Sequence, residues 1–154
     1  MSRSTMHTLS NPASKEQLVN RIQSLAAISH RQWGTMTVEE MLWHLRSQLE
    51  LALGIEKQTT QMKSVLSSPP LRWLTIYVIP WPKSTPTAPE MNVKKSNPAV
   101  KSIEVEKQLL LQRLEEASVA TSLGPHPLFG KMSKTMWSRL IWKHVDHHLR
   151  QFGV

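Results

Sequence analysis

The sequence predicts an all-α fold in which a single domain, residues 1–154, forms a four-helix bundle. Three observations favour this fold class. Four segments repeat apolar residues at the spacing of one helix face, a long proline-rich stretch separates the second segment from the third, and no segment shows the strict alternation of a half-buried strand. Two helix pairs joined by one long connection form a common type of bundle.

Each predicted helix has a start signal. Serine, threonine and asparagine side chains accept hydrogen bonds from the free amides of a first turn, and a Glu or Gln three residues later completes a capping box. These signals predict helices that start at Ser14 in SKEQ, at Thr37 in TVEE, at Asn97 followed by Pro98, and at Ser133. Glycines mark the expected ends of the last three helices: Gly54, Gly124 and Gly153.

The second and third helices are joined by residues 64–97, which carry most of the chain's ten prolines. Proline removes a backbone donor and blocks a continuous helix or central strand, so we expect this segment to be a long crossover and not a domain. Its apolar residues, among them Trp73 and Trp81, should order it across one end of the bundle. Residues 1–12 are expected to be flexible.

Composition limits the function. The chain has no cysteine, so metal ligands must be His, Asp or Glu, and a cysteine nucleophile is excluded. The lack of cysteine and of an apolar signal-peptide run indicates a cytoplasmic protein. The most apolar window, Leu71–Trp81, contains Arg72 and is shorter than the ~20 apolar residues that span a bilayer, so no membrane partner is expected.

The net charge of +8 is spread along the chain, and no run of basic residues exceeds the pair Lys94 and Lys95. Scattered basic residues beside glutamates are typical of solvated helix faces, so no nucleic-acid partner is expected. If the basic balance did reflect nucleic-acid binding, the affinity would fall steeply with salt.

The fourth helix carries histidines in the arrangement KHVDHHLRQF. At about 100° per residue from Trp137, the centre of the inward face, His144 and His148 lie within about 20° of that centre, and His147 lies at the flank. Two imidazoles four residues apart on one helix face can share a metal ion. His144 and His148 are therefore candidate metal ligands.

A third ligand has to come from another helix. His44, in MLWHLRS, lies beside the apolar stripe of the second helix, at an edge that can face a neighbouring helix. The alternative is that each histidine is an ordinary core residue with one ring nitrogen bonded to a backbone carbonyl. Two adjacent imidazoles without an acidic neighbour would leave nitrogens unsatisfied unless water or a metal lies between them. Spacing alone leaves both interpretations open.

Three passages resemble the DinB/YfiT-like superfamily of bacterial four-helix proteins, and within it a branch of unknown function. They are RQWGTMTVEEMLWHLRSQLELALG (31–54), PWPKSTPTAPE (80–90) and HPLFGKMSKTMWSRLIWKHVDHHLRQFG (126–153). The resemblance implies an up-down-down-up bundle, which in many members forms a homodimer. It also implies one divalent metal ion, zinc or nickel, bound by His44, His144 and His148.

The same resemblance implies a class of function. Superfamily members include enzymes that transfer a low-molecular-weight thiol and relatives that hydrolyse or isomerise thiol adducts, so a metal-dependent transferase or hydrolase with a small-molecule substrate is expected. The stretches HPLFGKM and PWPKSTPTAPE depart from the thiol transferases, which leaves the substrate open. Three neutral imidazoles also leave a fourth coordination position, as catalytic sites do.

The alternative to an enzyme is a bundle that binds a metal or small ligand without catalysis, which fits the lack of a visible general base. His126 and His147 are the remaining catalytic candidates. His126, between two prolines in GPHPLFGK, is either a nearby acid, base or hydrogen-bond donor or only a turn residue, and its loop context favours the turn. The six tryptophans are expected in or over the core, with some lining a pocket.

Overall fold

The computed structural model describes residues 6–57, 63–83, 87 and 89–154, and this part of the chain is all-helical. Residues 1–5 of the predicted flexible terminus, and residues 84–86 and 88 of the predicted crossover, lie outside the described residues. The α-helices are α1 (Pro12–Ser24), α2 (Val38–Ala52), α3 (Pro69–Tyr77), α4 (Val93–Ser96), α5 (Ile103–Val119) and α6 (Lys134–Gln151). Short 3₁₀ helices lie at Val65–Ser67 and Pro89–Met91. None of the described helices is long and apolar enough to cross a membrane.

The four long helices supply most of the core. α2 packs along α5 and α1 packs along α6, while α1 also contacts α5 and α2 contacts α6. Their apolar stripes meet in one cluster that includes the fully buried side chains of Leu18, Met41, Leu110 and Trp137. Burial of each such side chain contributes roughly 1.5–3 kcal/mol, so this cluster is the main source of stability. The contact between α2 and α6 brings the histidines of these two helices together.

The capping signals of α2 and α6 are confirmed. Thr37 accepts from the amide of Glu40, and the Glu40 carboxylate accepts from the amide of Thr37. Ser133 accepts from the amide of Met136. Gly153 follows α6 with φ of +75°, a conformation that a side chain would strain. Each cap contributes about 1 kcal/mol and fixes where the helix begins, and hence which residues face inward.

The chain ahead of α1 is more ordered than its composition indicated. α1 starts at Pro12, with the side chain of Asn11 as its cap, before the predicted start at Ser14. Proline fits the first turn because its missing N–H needs no partner there. Residues 6–11, predicted to be flexible, lie against α6: the amide of Leu9 donates to an α6 carbonyl over 3.0 Å, and its side chain is buried.

The third long helix is shorter than predicted. α5 runs from Ile103 to Val119 and does not extend from Asn97 to Gly124. Asn97 has φ of +45° and ends α4, where its amide donates to the carbonyl of Val93. Asparagine tolerates this left-handed conformation, so the same residue type that starts a helix with its side chain can also end one.

The crossover between α2 and α5 contains α3, which the sequence analysis did not predict. This helix begins with two prolines, which the first turn tolerates. The buried ammonium of Lys143, on α6, donates to the carbonyls of Thr75 (2.7 Å) and Ile79 (2.5 Å) at the C-terminal end of α3. A cation there satisfies free carbonyls and offsets the negative end of the helix dipole. The crossover is therefore anchored on α6 one residue before His144.

A buried ion-pair network joins α2 to α5. Arg46 donates to Glu106 over 2.8 Å and to Glu50 over 2.6 Å, and Arg113 contacts Glu50 at 3.0 Å. The Glu106 side chain is fully buried. A charge at such a depth is tolerated only while its partner is present.

Replacing Arg46 by methionine should lower the free energy of unfolding by about 3 kcal/mol, because the Glu106 carboxylate would stay buried without its partner. Lys15→Met breaks the more exposed pair with Glu115 (2.6 Å) and is the matched control, with an expected loss below about 1 kcal/mol. Urea unfolding measures both. Equal losses would mean that the buried network contributes no more than a surface pair.

Candidate metal centre

Three buried histidines lie together where α2 meets α6. The Nε2 atom of His144 is 3.1 Å from Nε2 of His44 and 3.1 Å from Nε2 of His148. One nitrogen from each ring lies within 4.8 Å of the other two. The three residues that spacing and resemblance singled out are therefore neighbours in the fold.

Oxygen atoms on the far side of the rings orient His44 and His148. Nδ1 of His44 lies 2.8 Å from the carbonyl oxygen of Met91, and Nδ1 of His148 lies 2.8 Å from Oε1 of Gln151. The Gln151 amide is itself held in place, because its nitrogen donates to the carbonyl of Trp33 over 2.9 Å. An oxygen acceptor requires a proton on Nδ1, so each neutral ring keeps its lone pair on Nε2.

His144 is oriented by a side chain of α2. Its Nδ1 faces the amide oxygen of Gln48. The amide nitrogen of Gln48 lies 3.3 Å from Nε2 of His126, in the turn before α6. The amides of Leu128 and Phe129 donate to Nδ1 of His126. Gln48 thus joins the third ring of the cluster to the turn at His126.

The three rings together have the chemistry of a metal site. With Nδ1 protonated in each ring, three Nε2 lone pairs face one another, and they repel unless a proton or a cation lies among them. Zn–N distances of about 2.0–2.1 Å place the ligand nitrogens of a tetrahedral site about 3.3–3.4 Å apart. The two separations of 3.1 Å are close to that value. The cluster could therefore hold a divalent metal ion.

The cluster is uncharged near neutral pH. Burial lowers the pKa of His44, and burial together with the neighbouring imidazoles lowers the pKa of His144 and His148 well below the ordinary value. The oxygens that accept from the three rings belong to amides and a carbonyl, which carry no charge. A bound cation would therefore keep most of its positive charge, because neither ligands nor acceptors neutralise it.

A cavity of about 560 Å³ opens beside the three histidines. Its wall is mostly apolar and includes Met36, Leu66, Trp81, Met91 and Phe129. Small-molecule sites have volumes of about 300–1,000 Å³ and similar walls. The indole N–H of Trp81 is buried and has no hydrogen-bond partner within the described part of the chain. A bound ligand could supply the acceptor that this N–H lacks.

His126 and His147 both line this cavity. His126 takes part in its own turn, since its Nδ1 accepts from two amides there. Burial lowers the pKa of His126 to about 3, so its ring is neutral. His147, which its spacing places at the flank of the inward face, is buried, with its ring centroid 5.8 Å from that of Trp33 and 6.0 Å from that of Trp81.

The groups that orient the rings were not predicted from the sequence. Gln48 stands four residues after His44 but contacts His144 on α6, whereas Gln151 stands three residues after its own partner His148, about one helical turn away on the same face. That spacing is a usable signal for an amide beside an imidazole. The Met91 carbonyl gives no such signal, because it comes from the crossover and only the fold places it beside α2.

A scan against protein-family models matches residues 5–153 to a family described as a protein of unknown function, DUF1569. Comparisons with curated proteins and with solved structures gave no match. The matched residues span nearly the whole chain and include all three histidines of the cluster. The chain therefore belongs to the DUF1569 family.

Proposed function

We propose that this chain is a DinB-like protein that binds one divalent metal ion through His44, His144 and His148 and acts as a metal-dependent enzyme on a small molecule. In this proposal α1, α2, α5 and α6 are the helices of an up-down-down-up bundle, and residues 64–97 cross between the second and third. The packing of α2 along α5 and of α1 along α6 is compatible with that arrangement.

The observation that carries the proposal is the convergence of the Nε2 atoms of three histidines. Separate oxygen acceptors hold His44 and His148 so that both Nε2 atoms face Nε2 of His144 at 3.1 Å. An ordinary core histidine satisfies each ring nitrogen with a partner of its own, whereas here the Nε2 atoms of His44 and His148 both face the single Nε2 atom of His144. A site of three imidazoles needs that convergence.

Zinc or nickel is the metal that we propose. Imidazole suits zinc, nickel, copper and iron, whereas magnesium and calcium prefer oxygen ligands, which these rings do not supply. The resemblance to DinB-like proteins favours zinc or nickel within that group. Three protein ligands leave a position for water or substrate, and a metal bound there would supply Lewis-acid chemistry.

The cavity favours a small substrate with an apolar body and an anionic or polarisable group. The three ligands are neutral, so an anion is attracted to the cation, and Lys83 and Lys95 add positive charge to the cavity lining. The thiolate of a low-molecular-weight thiol fits this description, and we propose thiol transfer or hydrolysis as the reaction type. The indole N–H of Trp81 can bind a polar group elsewhere on the substrate.

A bundle that binds a metal or ligand without catalysis is the second candidate. Among the described side chains that line the cavity, none is a carboxylate. Burial lowers the pKa of both His126 and His147. A general base works best when its pKa lies near the operating pH, so His126, with a pKa of about 3, is poorly matched to that task, and burial moves the pKa of His147 away from that range.

Metal content tests the site. Untagged protein incubated with zinc or nickel and then dialysed should retain about one equivalent by mass spectrometry. His44→Ala and His148→Ala should lose it, because two imidazoles remain. His147→Ala, which changes a neighbour on the same helix, is the matched control and should keep the metal. An empty wild-type protein, or equal retention in His148→Ala, would contradict the proposal.

Zinc affinity should change little between pH 7.5 and 6.0. Three histidines with the ordinary pKa of about 6.5 would be mostly protonated at pH 6.0, which would weaken binding about 50-fold over this interval. Burial lowers the pKa of all three rings, so protons begin to compete only as the pH falls well below 6.5. Competition titration should show a change below about threefold. A loss near 50-fold would mean that the rings titrate as exposed histidines.

A substrate panel separates the enzyme from the binding module. Metal-loaded protein should act on at least one thiol-transfer or thiol-adduct hydrolysis substrate, and His148→Ala should lower kcat/KM by about 100-fold or more, since the metal site is lost. Lys15→Met, which changes a residue outside the cavity lining, should keep full activity. Activity that persists in His148→Ala would have another origin, and a panel without activity would favour the binding module.

A further inference from the structure

The ring proton of His126 lies on Nε2. The amides of Leu128 and Phe129 donate to Nδ1 over 3.0 and 3.2 Å, and a nitrogen that accepts carries no proton. The ring is buried and neutral, so its single proton is on the other nitrogen. That N–H needs an acceptor, and the group that it meets is the side-chain amide of Gln48, 3.3 Å away.

Gln48 has two orientations with opposite consequences. In one, its oxygen accepts from Nδ1 of His144 while its NH₂ group faces the N–H of His126, so two donors meet. A half-turn of the amide exchanges oxygen and nitrogen. The oxygen then accepts from His126, and the nitrogen donates to Nδ1 of His144. In this second orientation the proton of His144 must be on Nε2.

The second orientation satisfies every group when no metal is bound. His44 and His148 keep their Nε2 atoms unprotonated, because their Nδ1 protons are held by other acceptors. A proton on Nε2 of His144 then lies between two acceptors, each 3.1 Å away. A metal needs the lone pair of that same nitrogen. Metal binding therefore requires the first orientation, with the His144 proton on Nδ1.

We propose that Gln48 is a positioning residue that makes the Nε2–H of His126 available to a cavity ligand only when the metal is bound. Without metal, the oxygen of Gln48 holds this N–H. With metal, the oxygen turns to His144, and the N–H of His126 is left to bind an acceptor on the substrate. The inference rests on the proposed metal site. His144 loses one proton from Nε2 and gains one at Nδ1, so the ring stays neutral and no net proton is released.

Of the three proposed metal ligands, only His144 has its proton position linked to a second histidine. The acceptor of His44 is a backbone carbonyl, which cannot become a donor. The acceptor of His148 is Gln151, whose nitrogen is already committed to the carbonyl of Trp33. Gln48 alone among these acceptors has a second histidine as its other partner, and that histidine lines the cavity.

Imidazole ¹⁵N chemical shifts of the full-length protein test the coupling, because they report which ring nitrogen is protonated. In EDTA, His144 and His126 should both carry the proton on Nε2. With one equivalent of zinc, His144 should carry it on Nδ1 while His126 stays protonated on Nε2. A proton on Nδ1 of His144 in both forms would overturn the inference, and so would a proton on Nδ1 of His126. If mass spectrometry shows that zinc does not bind, the metal site itself fails, so the two failures are distinguishable.

Zinc affinity of variants provides an independent test. Gln48→Glu offers an oxygen to both rings at once and should bind zinc about tenfold more tightly than the wild type, whereas Gln48→Met, similar in size, should bind about tenfold more weakly. His126→Asn keeps an acceptor for the turn amides but removes the competing N–H, so it should bind zinc severalfold more tightly. Weaker binding by both Gln48→Glu and His126→Asn would overturn the proposal.

Discussion

Three hydrogen bonds from histidine Nδ1 atoms to uncharged oxygens determine what the centre of this protein can do. The accepting oxygens belong to the backbone carbonyl of Met91 and to the side-chain amides of Gln48 and Gln151. With the amide oxygen of Gln48 turned toward His144, each bond keeps a ring proton on the outer side of the cluster and directs a lone pair inward. Carboxylates in the same places would orient the rings as well but would partly neutralise a bound cation. Amide and carbonyl oxygens orient the rings and would leave the charge of a bound cation unreduced.

The rest of the fold keeps the donors and acceptors of these three hydrogen bonds in place. α2 carries His44 and Gln48 and is held to α5 by the buried pairs of Arg46. α6 is placed by Trp137, which is fully buried and donates from its indole to the carbonyl of Gly124 over 3.0 Å. The crossover brings Met91 to the cluster and is itself anchored by Lys143. The ion pairs of Arg46, the burial of Trp137 and the hydrogen bonds of Lys143 therefore all help to position the histidine cluster.

Local sequence patterns predicted those features of the structure that depend on residues close together in the chain. The capping box at Thr37 fixes the start of α2, and the spacing of His144 and His148 follows from one helical turn, so both could be read from the sequence. Asn97 was wrongly expected to start a helix, because the same residue type also favours the left-handed conformation that ends one. Met91 and His126 reach the site through long-range contacts that no local periodicity encodes.

The His126 turn illustrates how a local structural role and a role at the site can coexist. One ring nitrogen accepts from the turn amides, which is what the two flanking prolines and the short loop predict. The other nitrogen faces Gln48 beside the cavity, a position that depends on the packing of the turn against α2. His126 can therefore be a turn residue and a hydrogen-bonding group beside the cavity at the same time.

X-ray absorption spectroscopy of the zinc-loaded protein tests the central claim most directly, because it reports the kind and number of ligand atoms. The account predicts three imidazole nitrogens at about 2.0–2.1 Å, one further light atom or sulfur from solvent or ligand, and no protein carboxylate. A spectrum with fewer than three imidazoles, or with carboxylate ligands in their place, would contradict it.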